Sequence, residues 1–400
     1  MSHNHHADVL VVGGGIIGLS VAWRARQAGM SVTVLERDEI GGGTSHVAAG
    51  MLAPVAEVEF GAAGRRVLEL GLRSVEMWPA FVSELEAAVG LGLGLLRTGT
   101  LLIARDDDDA LELERQLDFR RELRLPVERL RASQARDLEP ALAPTIRLAL
   151  EAPDDHSIDP RPVLTALRRA CQLSGVKLRE HAPVARVELE GSPARVSGVT
   201  LAGGECLAAS QLVLAAGAWS EGIDGLPVHA RVPVRPVKGQ ILRLRDPAGA
   251  GLLRRVLRFN GGYIVPRADG RYVLGATVEE RGFELAPTVG GVYELLRDAH
   301  ELVPGISQLE IDELCVGLRP GTPDNAPAIG PGAVHGLVWA TGHYRNGILL
   351  APLTAALVVS VLAGEQLPDQ LVCACSPKRF TAASHSAAVH AIGPPVGAAS

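Results

Sequence analysis

The chain has 400 residues, more than one hydrophobic core ordinarily serves, so two domains are expected. Apolar residues make up 47% and charged residues 21%, the balance of a globular protein and not of a disordered one. The formal net charge of −6, in a chain whose only lysines are Lys177, Lys238 and Lys378, leaves no basic footprint for nucleic acid or an anionic membrane.

Met1–Ala7 carries no apolar run, so no signal peptide is expected, and His3, His5 and His6 read as a terminal cluster and not as a metal site. Val9–Val12 is short, apolar and β-branched, the signature of a buried parallel strand. Gly13, Gly15 and Gly18 follow with G-x-G-x-x-G spacing, Ile16–Ala28 reads as a helix stopped by Gly29, and Ser31–Leu35 is a second strand ending on Glu36. Gly13 turns the chain, Gly15 lets backbone approach a pyrophosphate, and Gly18 lets helix and strand pack closely. The helix N-terminus offers free N–H groups to phosphates. Glu36, 18 residues past Gly18, suits a ribose 2′-hydroxyl and would repel a 2′-phosphate. With strand, helix and acid all in place, the stretch reads as a dinucleotide-binding unit and not as an ordinary Gly-rich turn.

The run Gly41-Gly42-Gly43-Thr44-Ser45, with His46–Leu52 after it, suits a loop crowded against a second nucleotide or a ring system. Arg65–Val89 reads as a long amphipathic helix, Thr98–Ala104 as a strand, Asp106–Asp109 as a solvated turn or helix start, and Ala110–Leu123 as a helix. From Glu139 to Pro160 the chain is rich in Pro and Asp, which suggests a crossing between domains. Arg161–Ser174 is a helix before Gly175; strands follow around Val176–Arg179, Val184–Leu189 and Gly198–Leu201. Gln211–Ser220 repeats the opening logic, an apolar strand closing on Gly217 where backbone passes close to a ligand. Arg231–Arg245, Val256–Phe259, Tyr263–Arg267 and Tyr272–Ala276 read as antiparallel strands with Gly-containing turns. Gly290–Val303 is a helix, and Leu337–Thr341 a strand leading into Gly342–Gly347. The apolar segment Ile348–Ala363 is short for a membrane span and holds Pro352, so a buried helix is expected. Ser376–Ser400 reads as a disordered tail. The five cysteines (Cys171, Cys206, Cys315, Cys373, Cys375) are odd in number and scattered, which argues against a disulfide framework and for a reducing compartment. A cytoplasmic protein without membrane attachment is expected.

The expected fold is α/β (α+β overall). A Rossmann-type domain is assembled from residues 7–92, 153–225 and 316–370, and a mostly antiparallel sheet domain from residues 93–152 and 226–315, with a disordered tail at 376–400.

The opening fingerprint, Gly41–Ser45 with Ala48–Leu52, Pro236–Gln240, Tyr263–Arg267, Gly275–Thr277, Gly317–Thr322 and Gly342–Pro352 resemble, in order, the glycine oxidase (ThiO) branch of the D-amino-acid oxidase family. The resemblance runs from about Asp8 to about Leu367. It implies non-covalent FAD and oxidation of glycine, sarcosine or small D-amino acids to an imine, with O₂ becoming H₂O₂. It also implies a homotetramer, a role in making the thiazole of thiamine, and a link to the thiazole synthase of that pathway.

Carried over by motif, the FAD would be lined by Gly13, Gly15, Ile16, Ile17, Gly18, Glu36 and Arg37, then by Thr44, Ser45, Ala49, Gly50 and Met51. Val184 and Gly217 would join them. His343, Tyr344, Arg345, Asn346, Gly347, Ile348 and Leu349 would run along the isoalloxazine. Arg319 would pair with the substrate carboxylate, Tyr263 would hydrogen-bond it, and Arg345 and Met51 complete the candidate catalytic set. The chemistry agrees: a small zwitterion offers one strong handle, which a guanidinium grips bidentately. A helix beginning near Asn346–Gly347 would aim its positive end at the flavin. No His or carboxylate presents itself as a required base. Gly261-Gly262 before the tyrosine suggests a roomier pocket, and Cys315 reads as a buried small residue and not as a flavin attachment point. A D-amino-acid dehydrogenase passing electrons to a quinone and a secondary-amine oxidase stay open as alternatives. An NAD-dependent dehydrogenase and a non-catalytic flavoprotein are disfavoured by the Gly41–Ser45 loop and by Arg319 and Tyr263 in their motifs.

Overall fold

A computed structural model describes residues 7–249 and 251–380; His3, His5 and His6 lie outside the described residues. Its frame is two large sheets. The first is built on β1 (Ala7–Val12), whose Val9 and Val11 are fully buried, followed by α1 (Ile16–Gln27) and β2 (Val32–Leu35). β1 pairs in parallel with β2 and with β11 (Cys206–Leu214), and β2 pairs in parallel with β8 (Lys177–Arg179). Burial on both faces explains why β1 and β2 read as continuous apolar runs. β18 (Leu337–Thr341) adds to β11, β17 (Ala328–Pro331) closes that edge, and β9 (Val184–Glu190) with β10 (Arg195–Leu201) extends β11 as an antiparallel hairpin. α6 (Pro160–Leu173) and the almost wholly apolar α8 (Ala351–Leu362) pack on α1. Each large side chain removed from water there contributes roughly 1.5–3 kcal/mol. Among the described residues no helix is long and apolar enough to cross a membrane.

The second sheet runs β16–β12–β15–β14–β13–β4–β6–β5, all antiparallel except β13 with β4. Its strands are β4 (Thr100–Ala104), β5 (Glu128–Arg131), β6 (Leu148–Ala152), β12 (Arg235–Arg245), β13 (Val256–Phe259), β14 (Gly262–Pro266), β15 (Arg271–Gly275) and β16 (Glu310–Gly321). Two short strands, β3 (Met51–Leu52) and β7 (His156–Ser157), pair with each other. The remaining helices are α2 (Thr44–Val47), α3 (Gly61–Val89), α4 (Asp107–Glu122), α5 (Ala132–Leu138), α7 (Val289–Leu302) and α9 (Asp369–Cys375).

Several expectations need correction. The segment expected as a domain crossing, 139–160, contains β6, an interior strand of the second sheet. β16 was not among the expected strands, since Gly317 and Pro320-Gly321 break up any local strand signal. It is the edge strand of its sheet, where a missing proline N–H is tolerated, and it crosses the expected boundary at 316. Asp106 caps α4 as expected of a helix start, its Oδ1 accepting from Asp109 N–H at 2.8 Å. Asp109, however, is buried, accepting from Arg105 and Asn260. The expected disordered tail at 376–400 needs correction at its start. Pro377–Phe380 form a helical turn, with Phe380 buried and Arg379 bonded to Asp324; residues 381–400 lie outside the described residues.

Candidate active site

One cleft of about 420 Å³ runs between the two sheets. At its dinucleotide end the three fingerprint glycines divide the work. Gly13 has φ 111° and a Cβ there would overlap the Ala215 carbonyl; a Cβ on Gly18 would overlap the carbonyl oxygen of Gly13. Gly18 thus packs helix on strand and does not line the cleft, whereas Gly13 and Gly15 do. Ser45 Oγ accepts from Ile16 N–H at 3.1 Å, tying the first turn of α1 to the Gly-rich loop. Glu36 Oε2 accepts from Gly14 N–H at 2.7 Å and Oε1 from Asp38 N–H at 3.0 Å, and lone pairs on both oxygens stay available to a ribose. Arg37 lies over the Trp219 ring, 3.6 Å from its centroid, and both line the cleft near Val184. Sequence reasoning missed Trp219 as a wall; its one signal was its place just past Gly217.

The loop that follows the Gly-rich run is held from behind. Arg243 Nη2 donates to the His46 carbonyl at 2.9 Å, Arg161 Nε to the same oxygen at 3.2 Å, and Arg267 Nη2 to the Ala49 carbonyl at 2.5 Å. Thr44 Oγ1 donates to the Leu318 carbonyl at 2.9 Å, which locks the loop onto β16. Gly50 has φ 77°, and a Cβ there would overlap the Ile158 carbonyl. Thr44, Ser45, Ala49, Gly50, Met51, Ile16, Ile17 and Gly217 all line the cleft.

After β18 the chain supplies His343, Tyr344, Arg345, Asn346, Gly347 and Ile348 to the same wall. Tyr344 N–H donates to the Pro320 carbonyl at 2.9 Å, bringing this segment against β16. Leu349 does not line the cleft: its carbonyl accepts from Ser74 Oγ at 2.6 Å and Trp78 Nε1 at 2.9 Å, on the side of α3. The helix expected to start near Asn346 starts at Ala351, although Leu350 N–H already donates to the Asn346 carbonyl at 2.8 Å. His343 is buried, its Nε2 bonded to Thr354 Oγ1 at 3.0 Å, and burial pushes its pKa down to about 3. It stays neutral at any working pH.

The far end of the cleft is built by register. Arg319 on β16 pairs with Val237 on β12, and Tyr263 on β14 pairs with Gly275 on β15. Both side chains lean toward each other across the two strands between them, over glycines. A Cβ on Gly239 would overlap both terminal nitrogens of Arg319, and a Cβ on Gly275 would sit 2.7 Å from the Tyr263 hydroxyl. Arg319 Nη1 donates to the Thr277 carbonyl at 3.0 Å and the Lys238 carbonyl at 3.3 Å, and its guanidinium lies beside the Tyr263 hydroxyl. Those two carbonyls fall to one nitrogen of a fork with five N–H donors. Burial pushes the Tyr263 hydroxyl above its ordinary value, so it remains a donor. The neighbouring Lys238 and Gln240 hold the segment after β15, through Ala286 and through Glu279 and Thr288.

A carboxylate absent from the sequence reading also lines this end. Glu57 ion-pairs with Arg258 and, at 3.6 Å, with Arg345, whose Nη2 also meets Glu59 at 2.5 Å. Burial alone would raise the Glu57 carboxyl, but Arg258 and then Arg345 outweigh it and hold it below the ordinary range. Its one sequence signal was a charge inside the apolar run Met51–Val58.

A phosphate-binding turn at one end and a guanidinium–phenol pair at the other make this the cleft of a dinucleotide-dependent oxidoreductase. The family model described as DAO, FAD dependent oxidoreductase, matches residues 8–361, and the chain belongs to that family. It is 35% identical over 360 residues to a glycine oxidase of Geobacillus kaustophilus, covering 90% of this chain and 93% of that protein. It is 37% identical over 379 residues to the bifunctional protein ThiO/ThiG of Synechocystis, covering 94% of this chain and 54% of that protein. The chain therefore spans about half the length of that relative. The crystal structure of glycine oxidase from Geobacillus kaustophilus matches with a TM-score of 0.84 at 34% identity, covering 91% of this chain and 96% of that one. The chain is an FAD-dependent oxidoreductase. Its residues fit that cofactor: Gly15 leaves room beside the first turn of α1, the Glu36 carboxylate at the end of β2 lines the cleft with acceptor capacity left over, and the Ala49–Met51 and His343–Ile348 walls face one cleft.

Proposed function

We propose that the enzyme oxidises glycine and other small amino acids, sarcosine and small D-amino acids among them, at the Cα–N bond, giving an imine that hydrolyses to the 2-oxo acid and the amine; from glycine these are glyoxylate and ammonia. The observation that carries the reading is Arg319 and Tyr263 meeting over Gly239 and Gly275, at the opposite end of the cleft from Glu36. FAD, when bound, would supply the acceptor for the Cα hydride, with O₂ as the final oxidant reduced to H₂O₂. Arg319 grips the carboxylate, the protonated Tyr263 hydroxyl donates to it, and the two together hold Cα at one depth in the cleft. Neutral His343, bonded to Thr354, neither takes nor gives a proton.

The cofactor is held without a covalent bond. Cys315 does not line the cleft, and its thiol faces Arg161 at 3.8 Å. Burial, with Glu313 beside it, pushes that thiol up and keeps it protonated. The similarity to a bifunctional ThiO/ThiG protein supports delivery of the imine to the thiazole synthase of thiamine synthesis.

The purified protein should be yellow, bleach on anaerobic addition of glycine or sarcosine, and release H₂O₂ in air. The flavin should leave on acid precipitation. A colourless protein that fails to take up FAD overturns the reading; bleaching without H₂O₂ in air points instead to a dehydrogenase with another acceptor.

A further inference from the structure

We propose that Glu57 is a specificity-determining residue that receives the amino group of the substrate, opposite the carboxylate grip of Arg319, and so sets which way round a small zwitterion enters. This rests on the amino-acid oxidase reading above. The side chain is 10% exposed and lines the same cleft as Arg319 and Tyr263. Glu57 Oε1 meets Arg258 Nε in a close ion pair, which occupies that oxygen. Oε2 has only Arg345 Nε beside it, at 3.6 Å and beyond hydrogen-bond distance, so this oxygen is left to accept from a ligand in the cleft.

The position of Glu57 is fixed by the backbone before it. Asp155 accepts from Val55 N–H at 3.1 Å and Ala56 N–H at 2.7 Å, while Arg120 donates to the carbonyls of the same two residues at 3.0 and 2.9 Å. Both edges of the two peptides leading to Glu57 are therefore clamped, which places its carboxylate as firmly as β16 places Arg319.

Charge decides what the carboxylate binds. Arg319, Arg258 and Arg345 put three cations at this end of the cleft against the single buried anion, Glu57. An ammonium is repelled everywhere there except at the Glu57 oxygens, whereas a carboxylate is drawn to Arg319. The same excess of positive charge lowers the proton affinity of the bound amine. One ammonium proton leaves to solvent, and the neutral amine keeps an N–H···O bond to Glu57 with its lone pair free. Glu57, held ionised by its arginines, orients the amine and takes no proton.

The test compares Glu57→Gln with wild-type holoenzyme, using flavin absorbance to titrate acetate, which has the carboxylate and no amine, and steady-state kinetics for glycine. Removing the negative charge should raise KM for glycine at least tenfold, while Kd for acetate stays within twofold or tightens. A merely structural role would weaken both together, and a residue outside the pocket would change neither; either result overturns the proposal. Should Glu57→Gln fail to hold FAD, Glu57→Asp, which keeps the charge on a shorter arm, should raise KM for glycine and leave acetate binding unchanged; a fall in both rejects the assignment. If wild type oxidises no amine at all, the functional reading has failed. Anaerobic titration of glycine and acetate on the two proteins still decides the role of Glu57, by whether glycine alone loses affinity.

Discussion

On the proposed function, Arg319 concentrates the substrate contact in one side chain, and what holds it leaves its fork free to work. Its Nη1 rests on two backbone carbonyls, Thr277 and Lys238, so the planar group is oriented before any ligand arrives. A charge-assisted pair of this kind contributes roughly 1.5–3 kcal/mol to binding. Misplacing the reacting carbon by about 1 Å can cost a further hundredfold. Arg319→Ala should therefore keep FAD and lower kcat/KM for glycine by at least about a thousandfold, and Arg319→Lys should recover only part, because a point charge does not reproduce a fork. Steady-state kinetics check this. A loss of only a few-fold would move the carboxylate site elsewhere in the cleft.

At the scale of elements, the pocket is a consequence of strand register. β12 and β15 lie between the strands that carry Arg319 and Tyr263, and each contributes a glycine where those side chains cross. Any side chain at Gly239 occupies the space of the Arg319 guanidinium. Gly239→Ala should leave the sheet and the yellow colour intact, since a strand accepts alanine, yet displace Arg319 and lower kcat/KM by about a hundredfold. Normal flavin absorbance with that loss confirms it; near-wild-type turnover would show that Arg319 has another way to reach substrate. The clamp of Asp155 and Arg120 on Val55–Ala56 works at the same scale, converting a loop into a fixed support for Glu57.

For the whole molecule, two buried titrating groups pull stability in opposite directions with pH. Burial raises Asp155 from its ordinary 3.8 to about 7 despite its backbone N–H bonds, so the folded state holds a proton that the unfolded chain has lost, and rising pH costs stability across that window. Burial lowers His343 from 6.5 to about 3, so falling pH costs stability below 6.5. Between about pH 4 and 6.5 the two nearly cancel. Asp155→Asn should therefore gain stability relative to wild type as pH rises from 4.5 to 6.5, and His343→Gln should gain relative to wild type as pH falls over the same range. Each slope is at most about 1.4 kcal/mol per pH unit, readable from denaturant unfolding of the holoenzymes at the two pH values. Parallel curves for both variants and wild type would show that neither group is shielded as its surroundings indicate.

The dinucleotide half was legible in the sequence because its signals are local. A strand, three glycines, a helix and Glu36 follow one another within thirty residues, and backbone geometry alone demands glycine at Gly13. Arg319 and Tyr263 were legible through motifs, though the motifs did not say that the two side chains meet. That meeting belongs to the tertiary structure, since it depends on the pairing of β16 with β12 and β14 with β15, contacts between residues as far as 86 apart at Arg235 and Gly321. The same reason hid β16 itself, whose Gly and Pro argue locally for a loop and are overridden by an edge position beside a long partner strand. It hid β6, because a Pro- and Asp-rich stretch says nothing of the strands on either side of it. Glu57 was hidden most completely. A charge inside the apolar run Met51–Val58 does not by itself mark a ligand group, and only the arrival of Arg258, Arg345, Asp155 and Arg120 from distant segments buries that carboxylate, keeps it charged and turns it to the cleft.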